Sequence, residues 1–462
     1  MTPALLDALK AALGAASVLT GDDIPARNEF DQTLGRPTRP AALLLPRTTD
    51  AVAAALRLCH EAGQPVVTQG GMTGLAGGAH PKEDEVALSL ERMRGVEEID
   101  PVAATLTALA GTPLAEIQAA AEQAGFHCGI DLGARGSCSI GGNVATNAGG
   151  NNVLRYGMTR HNVLGLEAVQ ADGTVLTSLN KMLKNNTGYD WKQLFIGSEG
   201  TLGVVTRVVL ALHPQPGPVE TALLACPSME AAVGVLTRLG AEFGSGLMMF
   251  EGMWAEFIDT AVTMMGLPAP FERPHELLVL TEIAPGPGGA ERVTDALGVL
   301  MEDGLVEDAI VARSGNDAAR LWAYRESPYE YYKHLASQTI FDVSIPRADM
   351  AAAVADLRAL AAQRWPSAMQ VVFGHIADSN IHIVIGPTVP GVPTSPDEKR
   401  ATEAAVYDVV AHHAGSVSAE HGIGRNKRPY LAHSRTPAEL ALMRTLKTAL
   451  DPKGILNPGR VL

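Results

Sequence analysis

The sequence predicts an α+β protein of two principal domains, the second built as an antiparallel sheet covered by helices. Three observations point there. Strand and helix patterns alternate over residues 38–110 and continue as a mixed block over residues 140–213. The stretch His213-Pro-Gln-Pro-Gly-Pro218 then sets three prolines in six residues, which marks a domain boundary. Residues 219–460 interleave helical patterns with short apolar runs, the signature of helices packed on a sheet. The expected division is a helical leader at 1–37, a first domain at 38–214 and a second at 215–462, a length that supports two or three cores.

In order along the chain, residues 1–16 read as an amphipathic helix. Ala41-Ala-Leu-Leu-Leu45 reads as a strand, and residues 49–61 as a helix capped by Thr48-Thr49-Asp50. Pro65-Val-Val-Thr68 is a strand that runs into a glycine-rich loop, with further strands at 86–90 and 105–110 and a helix at 113–124. In the second half, helices are expected at 228–243, 288–301, 316–336, 349–363, 398–413 and 437–449, with a proline-rich loop at 387–396.

Composition narrows the function. With 46% hydrophobic and 19% charged residues the chain is that of an ordinary globular enzyme, and a net charge of −14 argues against a nucleic-acid partner. Cys59, Cys128, Cys138 and Cys226 stand alone, so no Cys-x-x-Cys pattern builds an iron–sulfur cluster or a zinc ribbon, and free thiols in a reducing compartment fit best. The first residues lack a signal-peptide pattern and no apolar run reaches the ~18 residues of a membrane span. The expected location is cytoplasmic.

The richest stretch is Val371-Val-Phe-Gly-His-Ile-Ala-Asp-Ser-Asn-Ile-His-Ile-Val-Ile385. Two β-forming runs flank the polar tetrad 377–380, as in a hairpin. A tight turn there sets Ile376 against Ile381 and His375 directly opposite His382, with Cβ atoms about 5 Å apart on one face. Two such imidazoles can hold a metal. A second polar cluster, Ser418-Ala-Glu-His-Gly-Ile-Gly424, offers a carboxylate, Glu420, beside another histidine, His421; two histidines and a carboxylate make the ligand set of a catalytic zinc site with an open position.

Glycines cluster in three places: Gly70–Gly78 directly after a strand, Gly133–Gly150 with Asn143, Thr146 and Asn147 among small residues, and Gly197-Ser-Glu-Gly-Thr-Leu-Gly203 before the strand 204–210. Runs of small residues let successive N–H groups point into one concavity that binds phosphate oxygens. Neither the Gly-x-Gly-x-x-Gly dinucleotide pattern nor a Walker loop is present. Three such loops within one domain favour a single large, planar, polyanionic ligand over three independent turns.

These loops, in this order, resemble the flavin-binding half of the vanillyl-alcohol oxidase family. The hairpin histidines, the Ser-Ala-Glu-His-Gly-Ile-Gly cluster and the terminal Leu456-Asn-Pro-Gly-Arg460 resemble its FAD-dependent D-2-hydroxyacid dehydrogenase branch, which includes D-lactate, glycolate and D-2-hydroxyglutarate dehydrogenases. The likeness spans roughly residues 38–462. It implies a two-part FAD-binding domain of the vanillyl-alcohol oxidase type and then a substrate- and metal-binding domain whose C-terminal end returns to the flavin. Gly70, Gly71, Thr73, Gly74 and Gly78, with Met72 and Leu75, would cradle the FAD pyrophosphate. Gly142, Asn143, Ala145, Asn147, Gly149 and Gly150 would line the flavin, and Glu199, Gly200, Val204 and Asn457 would contact its ends. Relatives that attach the flavin covalently from the first loop carry histidine after the paired glycines; Met72 stands there, so FAD is expected to be non-covalent.

The same resemblance assigns His375, His382 and Glu420 to a divalent metal, most simply Zn²⁺, His421 to the catalytic base, and Arg325 to a bidentate clamp on the substrate C1 carboxylate. The implied reaction oxidises a D-2-hydroxy acid to the 2-oxo acid, with hydride to flavin N5; with no iron–sulfur motif and no membrane segment in the sequence, the expected electron acceptor is a soluble carrier or quinone. Departures concern the substrate. Relatives that take D-2-hydroxyglutarate carry an amide where this chain has Val384, a threonine where it has Tyr329 and a lysine where it has Ile340. An apolar far end is expected, suited to D-lactate or a longer, apolar D-2-hydroxy monocarboxylate. D-2-hydroxyglutarate or D-malate oxidation, a sugar-lactone or phenol oxidase, and a flavin subunit of a glycolate-oxidising complex are the rival readings. A homodimer is left open.

Overall fold

In a computed structural model, residues 1–33, 36–328, 337–387 and 391–462 are described. The chain divides into two compact units, Met1–Gln215 joined by Glu420–Leu462, and Pro216–Ala419. The first break falls in the proline-rich stretch. The second falls just before Glu420, so the last segment, assigned from sequence to the second domain, folds with the first.

The first unit holds two sheets. One has four strands, in the order Val18–Leu19, Ala42–Leu44, Val86–Ser89, Val66–Gln69, with the last three parallel. Its apolar residues are buried on both faces, as a parallel sheet requires. The helix Thr49–Ala62 supplies one cover; the Thr48 hydroxyl caps its start, and Gly63 closes it in a left-handed conformation. The N-terminal helix Pro3–Leu13 places Leu5 and Leu9 in the same core cluster as Val52 and Leu56. The second sheet is antiparallel, ordered Val96–Asp100, Thr105–Leu109, Val204–Pro214, Val163–Val169, Val175–Ser178, with Phe126–Cys128 also on the long strand. The C-terminal segment returns to the first sheet: Val66 N–H donates to the Ile455 carbonyl, Asn457 N–H donates back to Val66, and the buried Arg460 guanidinium pairs with buried Glu85.

The second unit is one seven-stranded antiparallel sheet. Its order is Asp308–Val311, Glu220–Cys226, Leu277–Ile283, Leu247–Trp254, Gln370–His375, Asn380–Ile385, Thr339–Ser344. Helices Met229–Phe243, Gly289–Glu302, Gly315–Glu326, Met350–Arg364 and Pro396–His412 accompany it, within a residue or two of the sequence reading where they are described. A further helix, Ala255–Met265, was not foreseen: it has no side-chain N-cap and follows a wholly buried strand without a turn signal. The expected helix at 316–336 is described only as Gly315–Glu326; residues 329–336 lie outside the described residues. No helix among the described residues is long and apolar enough to cross a membrane.

Candidate active site

In the second unit, four neighbouring strands put a row of functional side chains on one sheet face. Directly paired residues share a face, and so do residues two apart along a strand. Glu251 pairs with His375 and Met253 with Phe373. Phe373 pairs with His382 and Val371 with Val384. Asp342 pairs with His382 and Ile340 with Val384. One end of this face is therefore polar, with Glu251, His375, His382 and Asp342. The other is apolar, with Met253, Phe373, Val371, Val384 and Ile340.

The hairpin register corrects the sequence reading. His382 lies opposite Phe373 rather than His375, and Val384 opposite Val371 rather than Phe373. The cause is the tip, where residues 376–378 form a single helical turn and Ser379 takes a left-handed conformation, so the strands begin pairing two residues later than a tight turn would allow. A slip of one would have thrown the histidines onto opposite faces; a slip of two keeps them together as diagonal neighbours. Their ring centroids lie 5.6 Å apart, and they offer nitrogens within 4.8 Å of one another.

Each histidine has a buried carboxylate beside it. His375 Nδ1 lies 2.6 Å from Glu251 Oε1. An ionised carboxylate only accepts, so Nδ1 carries a proton, and in the neutral ring Nε2 then keeps its lone pair. Burial pushes the Glu251 carboxyl up, but its electrostatic and hydrogen-bonding interactions with His375 and Arg325 outweigh it and hold the group below the usual carboxylate range. Asp342 lies 4.0 Å from His382 Nδ1 and accepts from Asn380 Nδ2 and the Ser418 hydroxyl, each at 3.2 Å. Neither carboxylate was picked out from sequence as part of the site.

Arg325 leaves the helix Gly315–Glu326 over this same face. Its Nε donates to Glu251 Oε2 at 2.8 Å, and its guanidinium stacks on the Phe373 ring, 4.9 Å from the centroid. At 7% exposure it is a buried charge and not a solvated helix residue. Ile340 is half-buried and Val384 fully buried in the apolar cluster with Phe373, Val371 and Phe257. Tyr329, the third expected pocket residue, lies outside the described residues.

In the first unit, the three glycine-rich stretches meet. A Cβ on Gly71 would stand 2.0 Å from the Ser137 carbonyl oxygen, and one on Gly70 would stand 2.4 Å from Ser139 Oγ, so only glycine lets the first stretch lie against the second. The second is not wholly loop: Ile140–Thr146 is a short helix capped by Ser139, which carries Gly142, Asn143 and Ala145. Its end ties to the third stretch through Glu199 N–H donating to the Ala145 carbonyl at 2.7 Å. Gly149 and Gly150 follow that helix, and Gly200 and Val204 lead from the third stretch into the strand Val204–Pro214. Asn457 donates from Nδ2 to the Glu199 carbonyl and accepts at Oδ1 from Thr68 N–H, joining the C-terminus to the first strand. Four of the eight left-handed non-glycine residues among the described residues, Met72, Asn147, Glu199 and Asn457, fall at positions expected to touch the flavin. Such strain gathers where a ligand is held. The Thr68 hydroxyl, buried beside Gly200 with no partner among the described residues, fits a ligand heteroatom. These features suit FAD.

The segment bearing Glu420 and His421 is fastened to all three stretches. Glu420 Oε1 accepts from Gly150 N–H at 2.9 Å. The Glu199 carboxylate, read from sequence as a flavin contact, accepts from the Ile423 and Gly424 amides, each at 2.7 Å. Burial raises its pKa, and the two amides pull it back only in part. The Ala76 carbonyl, in the first stretch, accepts from Arg425 and Asn426 N–H. Both Glu420 and His421 are half-buried.

This combination of strained glycine-rich loops and a histidine- and arginine-bearing sheet face defines an FAD-linked oxidoreductase. Residues 40–178 match the family model described as FAD binding domain, and residues 215–461 match FAD linked oxidases, C-terminal domain. The chain is 43% identical over 422 residues to a Bos taurus protein named D-2-hydroxyglutarate dehydrogenase, mitochondrial, covering 91% of this chain and 76% of that one. A Stutzerimonas stutzeri D-2-hydroxyglutarate dehydrogenase is 33% identical over 99% of both chains. The fold is shared with p-cresol methylhydroxylase, at a TM-score of 0.79 and 16% identity over 99% of this chain and 96% of that one. The chain belongs to the FAD-dependent D-2-hydroxyacid dehydrogenase branch of the vanillyl-alcohol oxidase flavoproteins, and its reaction is the FAD-linked oxidation of D-2-hydroxy acids.

With Met72 following the paired glycines, the purified protein is expected to be yellow and to release its flavin on acid precipitation. Flavin remaining in the pellet would show a covalent bond.

Proposed function

We propose that this dehydrogenase prefers D-lactate or a longer, apolar D-2-hydroxy monocarboxylate. The observation that carries this reading is the graded sheet face, polar from Glu251 to Asp342 and apolar from Met253 to Ile340. Arg325 takes the C1 carboxylate at the polar end. Beyond His382 the row continues as Val384 and Ile340, which offer nothing to a second carboxylate. Arg347 is exposed on the turn that follows the strand Thr339–Ser344.

FAD, when bound, would supply the acceptor for the hydride that leaves C2. His375, His382 and Glu420 would hold a divalent metal, which would supply a Lewis acid that lowers the pKa of the 2-hydroxyl. His375 would bind through Nε2, the nitrogen that the Nδ1–H contact with Glu251 leaves unprotonated in the neutral ring. The second unit ends at Ala419, whose N–H donates to the Asp342 carbonyl, and Glu420 is the next residue. His421 takes the hydroxyl proton, and the product is the 2-oxo acid. A soluble carrier or quinone would take up the two electrons.

Because neutral imidazole is the ligand form, metal affinity falls with pH. Activity is expected to fall in EDTA at mildly acidic pH and to return with added Zn²⁺; a metal-free preparation with full activity would remove the metal from the reading. A second reading, D-2-hydroxyglutarate oxidation, is favoured by the names of the bovine and bacterial relatives. A substrate panel with a dye acceptor separates the two.

A further inference from the structure

We propose that Glu251 is a positioning residue for the oxidation, a single buried carboxylate that fixes both the tautomer of His375 and the plane of the Arg325 guanidinium. This rests on the reading of His375 as a metal ligand and Arg325 as the carboxylate clamp. Glu251 sits in the strand Leu247–Trp254, every residue of which is buried, between Phe250 and Gly252. A carboxylate there survives only if its oxygens are satisfied. Both are: Oε1 by His375 Nδ1 at 2.6 Å and Oε2 by Arg325 Nε at 2.8 Å.

The two partners come from different elements, the strand Gln370–His375 and the helix Gly315–Glu326, so one side chain sets the spacing between them. With Nδ1–H donated to Glu251, the unprotonated Nε2 of the neutral ring faces the Arg325 side, 3.5 Å from Nη2. With Nε engaged and the ring of Phe373 beneath, the guanidinium is held in one plane, which a bidentate grip on a carboxylate requires. Carboxylates that orient ligand histidines in this way are part of how metal sites are tuned. An amide at this position cannot serve both partners. It has one acceptor for two donors, so its NH₂ must face either His375 Nδ1 or Arg325 Nε. The ring then relieves the conflict by moving its proton to Nε2, which removes the lone pair.

The test uses the FAD-loaded protein with ¹⁵N-labelled histidine, the His375 signal being identified by its loss in His375→Gln. The expected wild-type ring is protonated at Nδ1, and Glu251→Gln shifts the proton to Nε2. Zinc affinity, read by chelator competition, is expected to fall about 10–100-fold in Glu251→Gln, with partial recovery in Glu251→Asp. KM for the substrate should rise in Glu251→Gln, because a neutral amide oxygen holds Arg325 Nε more weakly than the carboxylate does. An unchanged tautomer and unchanged zinc affinity in Glu251→Gln would overturn the proposal. If Glu251→Gln does not retain FAD, the wild-type spectrum decides alone, since a proton on Nε2 overturns the proposal and one on Nδ1 supports it. Wild-type protein that binds no zinc defeats the metal reading but leaves the tautomer result to judge Glu251.

Discussion

Replacing His421 by alanine is expected to slow flavin reduction by about 10²–10⁴-fold, the range for loss of a general base, while substrate binding changes little. The segment around it should stay in place, because it is held through groups other than the imidazole: the Glu199 carboxylate on the Ile423 and Gly424 amides, the Ala76 carbonyl on Arg425 and Asn426, and Glu420 on Gly150. On the proposed reading Arg325 still serves the C1 carboxylate, so saturation should occur at similar substrate concentrations. Rapid mixing under anaerobic conditions reads the reduction rate and its substrate dependence separately. An unchanged rate would move the base to another residue.

The second large effect is substrate selection. An apolar D-2-hydroxy monocarboxylate is expected to exceed D-2-hydroxyglutarate and D-malate in kcat/KM by about a hundredfold or more, because burying a carboxylate without a partner costs a few kcal/mol. Ile340 and Val384 are directly paired on adjacent strands, so the two side chains act on one spot. Ile340→Lys, alone or with Val384→Asn, should therefore raise kcat/KM for the dicarboxylate and lower it for the apolar acid. Dicarboxylates that match or beat the monocarboxylates in the unmodified protein would defeat the apolar reading.

Much of the fold was legible because its signals are local. Thr48, Ser228 and Ser395 stand where helices start, the prolines at 214–218 stand where one unit ends, and glycine runs stand where loops press together. The hairpin histidines were legible as a pair for a geometric reason. Strand side chains alternate with period two, so the error of two in register left His375 and His382 on one face. The tip itself was not legible, since nothing in Ile376-Ala-Asp-Ser379 forces a helical turn over a tight one. Glu251 stayed hidden because its strand is buried on both faces and shows no alternation to mark which residues look toward the site. Glu199 was placed by its neighbours in a glycine-rich stretch, but its carboxylate is spent on amides more than two hundred residues away in sequence, a contact that no local pattern encodes. The helix Ile140–Thr146 was masked by Gly141 and Gly142; a Cβ on Gly141 would stand 2.6 Å from Ala110 Cβ, so the glycine is there for packing.

The most direct test of the central claim is anaerobic mixing of the oxidised flavoprotein with the two enantiomers of an apolar 2-hydroxy monocarboxylate and with D-2-hydroxyglutarate, following the flavin absorbance. Rapid bleaching by the D-monocarboxylate, with slow bleaching by D-2-hydroxyglutarate and none by the L-enantiomer, is the predicted result. A flavin that stays oxidised with the D-monocarboxylate while D-2-hydroxyglutarate bleaches it would contradict the account.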